Sequence, residues 1–309
     1  MKVFRDLKEF KRLPNAVVTT GTFDGVHAGH QKILENLKEI AKNDGGETVL
    51  LTFFPHPRMV LFPDDNDLKL LNTLDEKIDL LEKAGIDNLI IHPFTQAFSR
   101  FTATQYVKDI LTETIGVKKL VIGYDHHFGR NREGSYENLF QMAPQYGFEL
   151  VEIPAQEIDA VNVSSTKIRK ALIDGDIKSA NSFLNYKYNL TGEVVEGNKL
   201  GRTIGFPTAN IETDSSYKLV PGVGVYAVEV MVNGVLHGGM LNIGFRPTVN
   251  KILKQTVEVH IFGFNADIYG NKITLYFLEK IRDEVKFNGL EELKNQLEID
   301  KAVVLARIV

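Results

Sequence analysis

Glycines, an aspartate and two histidines occur together in one short run, Gly21–His30. The run follows the apolar segment Ala16–Thr20 and leads into Gln31–Ala41, whose apolar residues recur at helical spacing. Glycines at a strand-to-helix turn let the backbone approach a phosphate, and the helix N-terminus offers unpaired N–H groups with a partial positive charge. Because His27 and His30 could also donate to an oxyanion there, the run predicts an enzyme that handles a nucleotide.

Further polar segments of the first half follow a strand-like segment or begin a helical one; they are Phe54–Arg58, Gly123–Arg130 and Val163–Arg169. In the last of these, Ser164 or Ser165 suits a helix cap, and the hydroxyls, free N–H groups and Arg169 form a cradle for an anion. Nucleotidyl transfer builds negative charge on phosphate oxygens, so positioned donors can catalyse it without a covalent intermediate. Taken alone, each segment is also typical of an ordinary turn or cap.

A second group of candidate residues lies in the C-terminal half. Thr208 and Asn210 are two apart, so both point the same way in an extended chain, and their oxygens suit a Mg²⁺ that takes its other ligands from ATP and water. On Thr256–Phe262, Glu258 alternates with apolar residues and could deprotonate a substrate hydroxyl. A single glutamate on a half-exposed strand is more often solvated, so from the residues alone both interpretations of Glu258 stay open.

Up to about residue 150, apolar strand-like segments alternate with helical patterns, and these elements must position the N-terminal candidate residues. The predicted strands are Ala16–Thr20, Thr48–Phe54, Asn88–Ile91, Lys119–Gly123 and Phe148–Val151, and the predicted helices after Gln31–Ala41 are Leu74–Ala84, Thr104–Glu113 and Tyr136–Gln145. This alternation predicts an α/β fold with an open parallel sheet, whose ligands bind beyond the carboxyl ends of the strands.

The pattern changes after about Leu184, where short β segments follow one another with little helix. They are Leu190–Val195, Val225–Val232, Val235–Leu241, Thr256–Phe264 and Lys272–Phe277. Asn233-Gly234 predicts a tight hairpin, and the whole region predicts a small antiparallel barrel. A C-terminal helix begins after Gly289 and should pack on the barrel through one side, formed by Leu290, Leu293, Leu297, Val304, Leu305 and Ile308. We therefore predict two domains, residues 1–184 and 185–309.

Composition restricts the classes of function. The chain has 309 residues, 43% of them hydrophobic, and no cysteine, which excludes disulfides, thiolate metal sites and a cysteine nucleophile. Neither a membrane-spanning apolar run nor a hydrophobic leader is evident, so we expect a cytoplasmic protein that does not bind membranes. A net charge of −4 argues against a general nucleic-acid binder. We expect a monomer or weak homo-oligomer that acts on small molecules.

The run Gly21–His30 resembles the signature of the nucleotidylyltransferase superfamily. With Phe54–Pro57, Gly123–Gly129 and Ser164–Arg169, it is similar to the adenylyltransferase half of bacterial bifunctional riboflavin kinase/FMN adenylyltransferases, also called FAD synthetases. The resemblance implies a Rossmann-like domain in which His27, His30 and Arg169 are catalytic. The residues implied to bind nucleotide, phosphates or flavin are Gly21, Phe23, Asp24, Gly29, Asp125, Ser164 and Thr166. The family commonly has Asp-Phe-x-Phe-Gly where this chain has Asp-His-His-Phe-Gly, Asp125–Gly129.

The C-terminal half is similar to the riboflavin kinase domain of the same family, through Gly201–Asn210, Pro221–Ala227, Asn242–Gly244, Glu258–Phe262, Asp267–Gly270 and Ile281–Phe287. This similarity implies that Thr208 and Asn210 bind Mg²⁺ with ATP and that Glu258 activates the ribityl 5′-hydroxyl. Further residues implied to bind substrates are Gly197, Gly201, Arg202, Phe206, Pro207 and Arg282. The expected cofactor is Mg²⁺, ATP is the expected co-substrate, and riboflavin, FMN and FAD are the expected substrates and products.

Two other hypotheses remain at this stage. The N-terminal chemistry also fits a transferase with another acceptor, such as pantetheine phosphate or a cytidylyl partner, although the flavin kinase half disfavours it. A flavin-binding regulator with decayed sites is the non-enzymatic alternative, against which the intact His27, His30, Thr208, Asn210 and Glu258 argue. Product analysis with riboflavin and ATP distinguishes all three.

Overall fold

The structure is a computed structural model, and it describes residues 1–64, 68–123, 128–130, 133–154, 163–197, 200–213, 215–247 and 253–308. By its internal contacts the chain separates into two compact units, Met1–Ser165 and Thr166–Val309. The domain boundary expected after residue 184 stays a prediction. In the described part of the chain, no helix is both long and apolar enough to cross a bilayer.

The first unit is built on a six-stranded sheet. Its strands are β1 Lys2–Phe4, β2 Ala16–Thr20, β3 Glu47–Phe53, β4 Asn88–His92, β5 Val117–Gly123 and β6 Glu149–Ile153. They pair in parallel throughout, in the order β1-β4-β3-β2-β5-β6. The helices are α1 Ala28–Asp44, α2 Pro57–Leu61, α3 Leu74–Lys83, α4 Ala103–Gln105 with its π-helical continuation Tyr106–Ile115, and α5 Tyr136–Tyr146.

Both faces of this sheet are covered, which explains why every residue of β2 is buried. Val17 packs on one face with Leu34 of α1 and Leu81 of α3. Val18 packs on the other face with Val107 and Leu139. Because parallel strands end along one edge of the sheet, the loops that follow them are brought together there.

The second unit contains a closed antiparallel barrel with strand order β10-β11-β8-β7-β12-β9. Its strands are β7 Asn189–Val195, β8 Ala209–Thr213, β9 Gly224–Val232, β10 Val235–Pro247, β11 Leu253–Ile261 and β12 Lys272–Arg282. The helices are α6 Ser165–Asp174, which begins at the boundary between the units, α7 Ile177–Leu184, α8 Leu200–Thr203 and α9 Leu290–Leu305. Asn233 and Gly234 have φ angles of 49° and 81°, as the tight hairpin requires.

The predicted fold class is confirmed, and the differences concern particular segments. Strand β8 was not predicted, because only Ile211 within it is buried and its pattern is short and mostly polar. The expectation of one apolar side for the C-terminal helix is wrong for Leu290 and Leu305, which are 50% and 49% exposed. Ile308 lies beyond the end of α9. The barrel covers only part of the helix, where Val304 is fully buried.

Candidate active sites

The loop between β2 and α1 adopts backbone angles that are unusual for its residues. Phe23 and Val26 have φ angles of 47° and 37°, and Gly25 lies between them at 88°. A bulky residue in this left-handed region costs on the order of 1–3 kcal/mol. The Phe23 and Val26 side chains are 3% and 2% exposed within the apolar core, so packing holds them in place. The turn is therefore fixed by tertiary contacts.

Asp24 fixes the loop between β2 and α1 by accepting two hydrogen bonds. Its side chain is 1% exposed, and Oδ1 accepts a hydrogen bond from the Leu71 backbone N–H at 2.9 Å. Its carbonyl oxygen accepts one from the Ser165 hydroxyl, also at 2.9 Å. The adjoining Gly21 N–H donates to the Leu51 carbonyl. These contacts connect the loop to β3, to the segment before α3 and to the start of α6.

The two histidines stand against each other at the start of α1. Their rings stack with centroids 3.7 Å apart and planes 17° apart. His27 caps the helix, since its Nδ1 accepts from the His30 N–H at 3.4 Å. An Nδ1 that accepts leaves the proton of a neutral ring on Nε2. The motif thus selects the tautomer whose Nε2–H can donate to a ligand.

His30 is kept neutral by its surroundings. Burial is the main cause that holds its pKa well below the ordinary value, and the nearby His27 and Lys77 lower that pKa further. Its Nδ1 is buried, without a hydrogen-bond partner among the described residues. At neutral pH His30 can therefore act as a hydrogen-bonding group but not as a fixed cation.

Lys77 is a charged residue of this site that the sequence analysis missed. It is 4% exposed, and its ammonium donates to the Thr22 carbonyl of the loop at 2.8 Å. Burial lowers its pKa, while the charge of Asp24 acts in the opposite direction. The available signal was its position between Leu74 and Leu81, because a lysine on the apolar stripe of a helix lies against the core and needs a partner for its ammonium if it is buried.

The other N-terminal candidates are placed as follows. Gly29 is buried in the first turn of α1. Ser164 directly precedes α6, and that helix carries an exposed Thr166 and a half-buried Arg169. Asp125 and the two histidines after it lie outside the described residues. The ligand-binding role of each remains a prediction.

In the barrel, Thr208, Asn210 and Glu258 line one cavity of about 280 Å³. Glu258 of β11 lies directly opposite Asn210 of β8 in the strand register. The cavity is otherwise mainly apolar and includes Ile204, Phe206, Val225, Met240, Phe287, Leu293 and Leu297, together with Gly201. Thr208, Asn210 and Glu258 thus line one pocket, which also includes the polar side chains Asn242, Thr256 and Glu284 and whose apolar walls suit a flat apolar group.

A close backbone approach explains Gly197. A Cβ at this position would lie 2.1 Å from Asn210 Nδ2 and 2.6 Å from its Cγ. The strand-end loop is thus pressed against the side chain expected to face the metal. Any larger residue at Gly197 would displace Asn210.

Thr208 also borders a second cavity, of about 460 Å³. Arg202 and Pro207 line this second cavity, together with Asn265, Asp267 and Tyr269. The predicted barrel residues thus divide between two adjoining spaces, with Thr208 at their shared boundary. Among the described residues no cluster of three histidine, aspartate or glutamate side chains could hold a metal ion by itself.

Arg282 lines the smaller cavity, and its guanidinium is engaged within the protein. Nε lies 3.0 Å from each carboxylate oxygen of Asp300, and Nη2 lies 2.7 Å from one of them. Nη1 donates to the Asp283 carbonyl at 2.9 Å. The buried Asp300 belongs to α9, so this ion pair ties β12 to the helix. Direct contact of Arg282 with flavin remains a prediction.

Comparison with known families bears on both halves. Residues 9–167 match the family model of FAD synthetase, and residues 184–308 match that of riboflavin kinase. The chain belongs to the bifunctional riboflavin kinase/FMN adenylyltransferase family. The resemblance inferred from the sequence motifs is thereby confirmed, as is the division into a nucleotidyl-transferring half followed by a flavin kinase half.

Individual relatives extend over nearly the whole chain. The bifunctional riboflavin kinase/FMN adenylyltransferase of Listeria monocytogenes is 39% identical, over 93% of this chain and 90% of that protein. The Escherichia coli K12 protein of the same description is 37% identical, over 97% and 96%. A crystal structure from Streptococcus pneumoniae, described as a macrolide-efflux protein, is 31% identical with a TM-score of 0.88, covering 98% of this chain and 97% of that one.

Proposed function

We propose that the chain makes FAD from riboflavin in two ATP-dependent steps. The barrel transfers the γ-phosphoryl group of ATP to riboflavin, giving FMN and ADP. The N-terminal unit transfers AMP from a second ATP to FMN, giving FAD and pyrophosphate. The observation that carries the proposal is the pairing, in one chain, of a carboxylate site in an apolar pocket with a histidine site at a helix N-terminus.

In the barrel, Glu258 accepts the proton of the ribityl 5′-hydroxyl as its oxygen attacks the γ-phosphorus. The bond from that phosphorus to the bridging oxygen breaks, and ADP leaves. A neutral hydroxyl needs such a base, and a carboxylate set in a mainly apolar pocket is suited to act as one. The apolar walls hold the flavin ring, and the larger cavity beyond Thr208 takes the nucleotide. Most of the rate enhancement comes from positioning and charge stabilisation.

Mg²⁺ fits the donor set of the smaller cavity, at the end where Thr208 also borders the larger one. Thr208 and Asn210 offer a hydroxyl and an amide oxygen, which are hard ligands of the kind Mg²⁺ prefers. The described residues include no preformed cage of three acidic or histidine ligands. That arrangement suits an ion that takes most of its ligands from ATP and water. When bound, Mg²⁺ neutralises charge on the phosphates.

In the N-terminal unit, the attacking group is a phosphate oxygen of FMN, which is already anionic at neutral pH. This step therefore needs donors and no strong base. The His27 Nε2–H, the neutral His30 and the N-terminus of α1 can stabilise charge on the α-phosphate and the leaving pyrophosphate. The sequence resemblance further assigns binding of the triphosphate or pyrophosphate to Ser164, Thr166 and Arg169, and binding of the nucleotide or flavin to Asp125, which lies outside the described residues.

The finer properties expected from the sequence belong to the same proposal. The enzyme works in the cytoplasm, depends on magnesium, and is a monomer or weak homo-oligomer without a nucleic-acid partner. The relatives described as bifunctional riboflavin kinase/FMN adenylyltransferases, which match over 93% and 97% of this chain, support the two activities.

The decisive experiment incubates the purified chain with riboflavin, ATP and Mg²⁺ and separates the flavins over time. FMN should appear first and FAD second, with one ADP and one pyrophosphate released for each FAD. Flavin binding without ATP consumption would favour the regulator. Transfer to pantetheine phosphate, or use of CTP in place of ATP with no FAD formed, would favour the other transferase.

A further inference from the structure

The side chain of His260 connects strand β11 to the segment that carries Thr208. His260 is 8% exposed, and its Nδ1 lies 2.7 Å from the carbonyl oxygen of Pro207. A carbonyl oxygen only accepts hydrogen bonds, so Nδ1 carries the proton and donates. Since Pro207 immediately precedes Thr208, the hydrogen bond fixes the peptide unit that leads into the threonine.

This connection lies just beyond the end of a strand ladder. Backbone pairing between the two strands joins Glu258 with Asn210 and Val259 with Ala209, where β8 begins. His260 is the next residue of β11, and its side chain links the strands one step further. The residues before Ala209 are thus held to β11 by a side chain.

The surroundings of His260 keep this hydrogen bond in a fixed geometry. The ring packs edge-on against Phe206 and Phe262, with centroids 5.2 Å and 5.7 Å away. Burial is the main cause that lowers the pKa of His260, so the ring is neutral at pH 7. The ring lines the same cavity as Thr208 and Glu258.

We propose that His260 is a positioning residue of the kinase site, whose Nδ1–H holds the Pro207 carbonyl and so keeps Thr208 beside Glu258 and Asn210. The inference rests on the proposed function, since it assigns His260 to riboflavin phosphorylation. Loss of the hydrogen bond leaves the pocket walls almost intact but lets Thr208 shift. A small misplacement of this kind slows the chemical step more than it weakens binding.

Three substitutions test the role of the Nδ1 donor. His260→Leu removes it, His260→Asn places an amide N–H near the position of Nδ1, and His260→Gln places one near the position of Nε2. We expect His260→Leu and His260→Gln to lower kcat for riboflavin phosphorylation about 10- to 100-fold. His260→Asn should stay within about threefold of the original kcat, and the KM for riboflavin should change little in all three.

FMN adenylylation by the same chains, with FMN supplied, checks that the protein is folded. If His260→Leu fails to fold, the comparison of kcat between His260→Asn and His260→Gln tests the inference. Equal kcat in Asn and Gln, an unchanged kcat in Leu, or a raised riboflavin KM with unchanged kcat would overturn the inference, because His260 would then only shape the pocket. Absence of riboflavin phosphorylation in the unsubstituted chain would instead overturn the proposed function.

Discussion

The two candidate sites obtain their residues in different ways. In the N-terminal unit, Gly21–His30 is one continuous segment that follows the end of a single strand. In the barrel, Asn210 and Glu258 are far apart in sequence and face each other only through antiparallel register. The first site depends on a strained turn held by a buried core, and the second depends on the alignment of two strands.

The two sites also differ in the chemical groups that they present to a substrate. The N-terminal site presents neutral imidazoles and a helix N-terminus, which are donors suited to a nucleophile that is already charged. The barrel presents a carboxylate in a mainly apolar pocket, which suits a nucleophile that must lose a proton. Each site can thus be disabled while the other serves as an internal control for folding.

The largest expected effect is that of Glu258→Ala. Loss of a general base typically costs about 10²- to 10⁴-fold in rate, so FMN formation from riboflavin should fall by that factor. FAD formation from supplied FMN should continue at the original rate. Both are measured by separating the flavins over time. Equal damage to both reactions would show that the sites are not independent.

His27→Ala should have the opposite effect. We expect FAD formation from FMN to fall about 10²- to 10³-fold, because a donor to the developing charge is lost. Riboflavin phosphorylation in the same preparation should be unaffected. Retained FAD synthesis in this variant would exclude His27 from the reaction.

A smaller effect is expected at Lys77. Lys77→Met removes a buried charge and the hydrogen bond to the Thr22 carbonyl but keeps a long apolar stem. FMN adenylylation should fall about 10- to 100-fold, since loss of a hydrogen bond to a charged group costs roughly 1.5–3 kcal/mol. The matched control is Lys83→Met on the exposed side of the same helix. Comparable losses in both variants would mean that helix stability, and not the loop contact, accounts for the effect.

The smallest effect concerns stability and pH. The pKa of His30 is lowered in the folded state, so the unfolded chain binds more protons as the pH falls below about 6.5, and folding stability decreases. In His30→Gln, thermal unfolding should depend less on pH over this range than in the unsubstituted chain. His92→Gln is the comparison, because burial also lowers the pKa of that less enclosed histidine. If the pH dependence of unfolding changed more in His92→Gln than in His30→Gln, the assignment of this dependence to His30 would be contradicted.

The sequence predictions are most accurate where the residues are adjacent along the chain and least accurate where folding brings distant residues together. The role of Gly21–His30 can be predicted from the sequence because its glycines, aspartate and histidines are adjacent along the chain. The alternation around Glu258 correctly places Val257 and Val259 on the buried side. Strand β8 is missed because its partner strands, and not its own short pattern, define it. Lys77 lies on the apolar stripe of α3, but the carbonyl that it contacts belongs to Thr22, which is distant in sequence. The burial of His260 likewise depends on neighbours distant in sequence.

What the sequence determines by itself is local: the periods of the strands and helices, the turn at Asn233-Gly234 and the type of chemistry that each motif can perform. The tertiary structure alone decides which atoms those groups face. Packing of Phe23 and Val26 sets the loop, a buried lysine holds its carbonyl, and register sets Glu258 against Asn210. These decisions are not local because burial and strand pairing depend on the whole chain, and burial in turn fixes charge, tautomer and pKa.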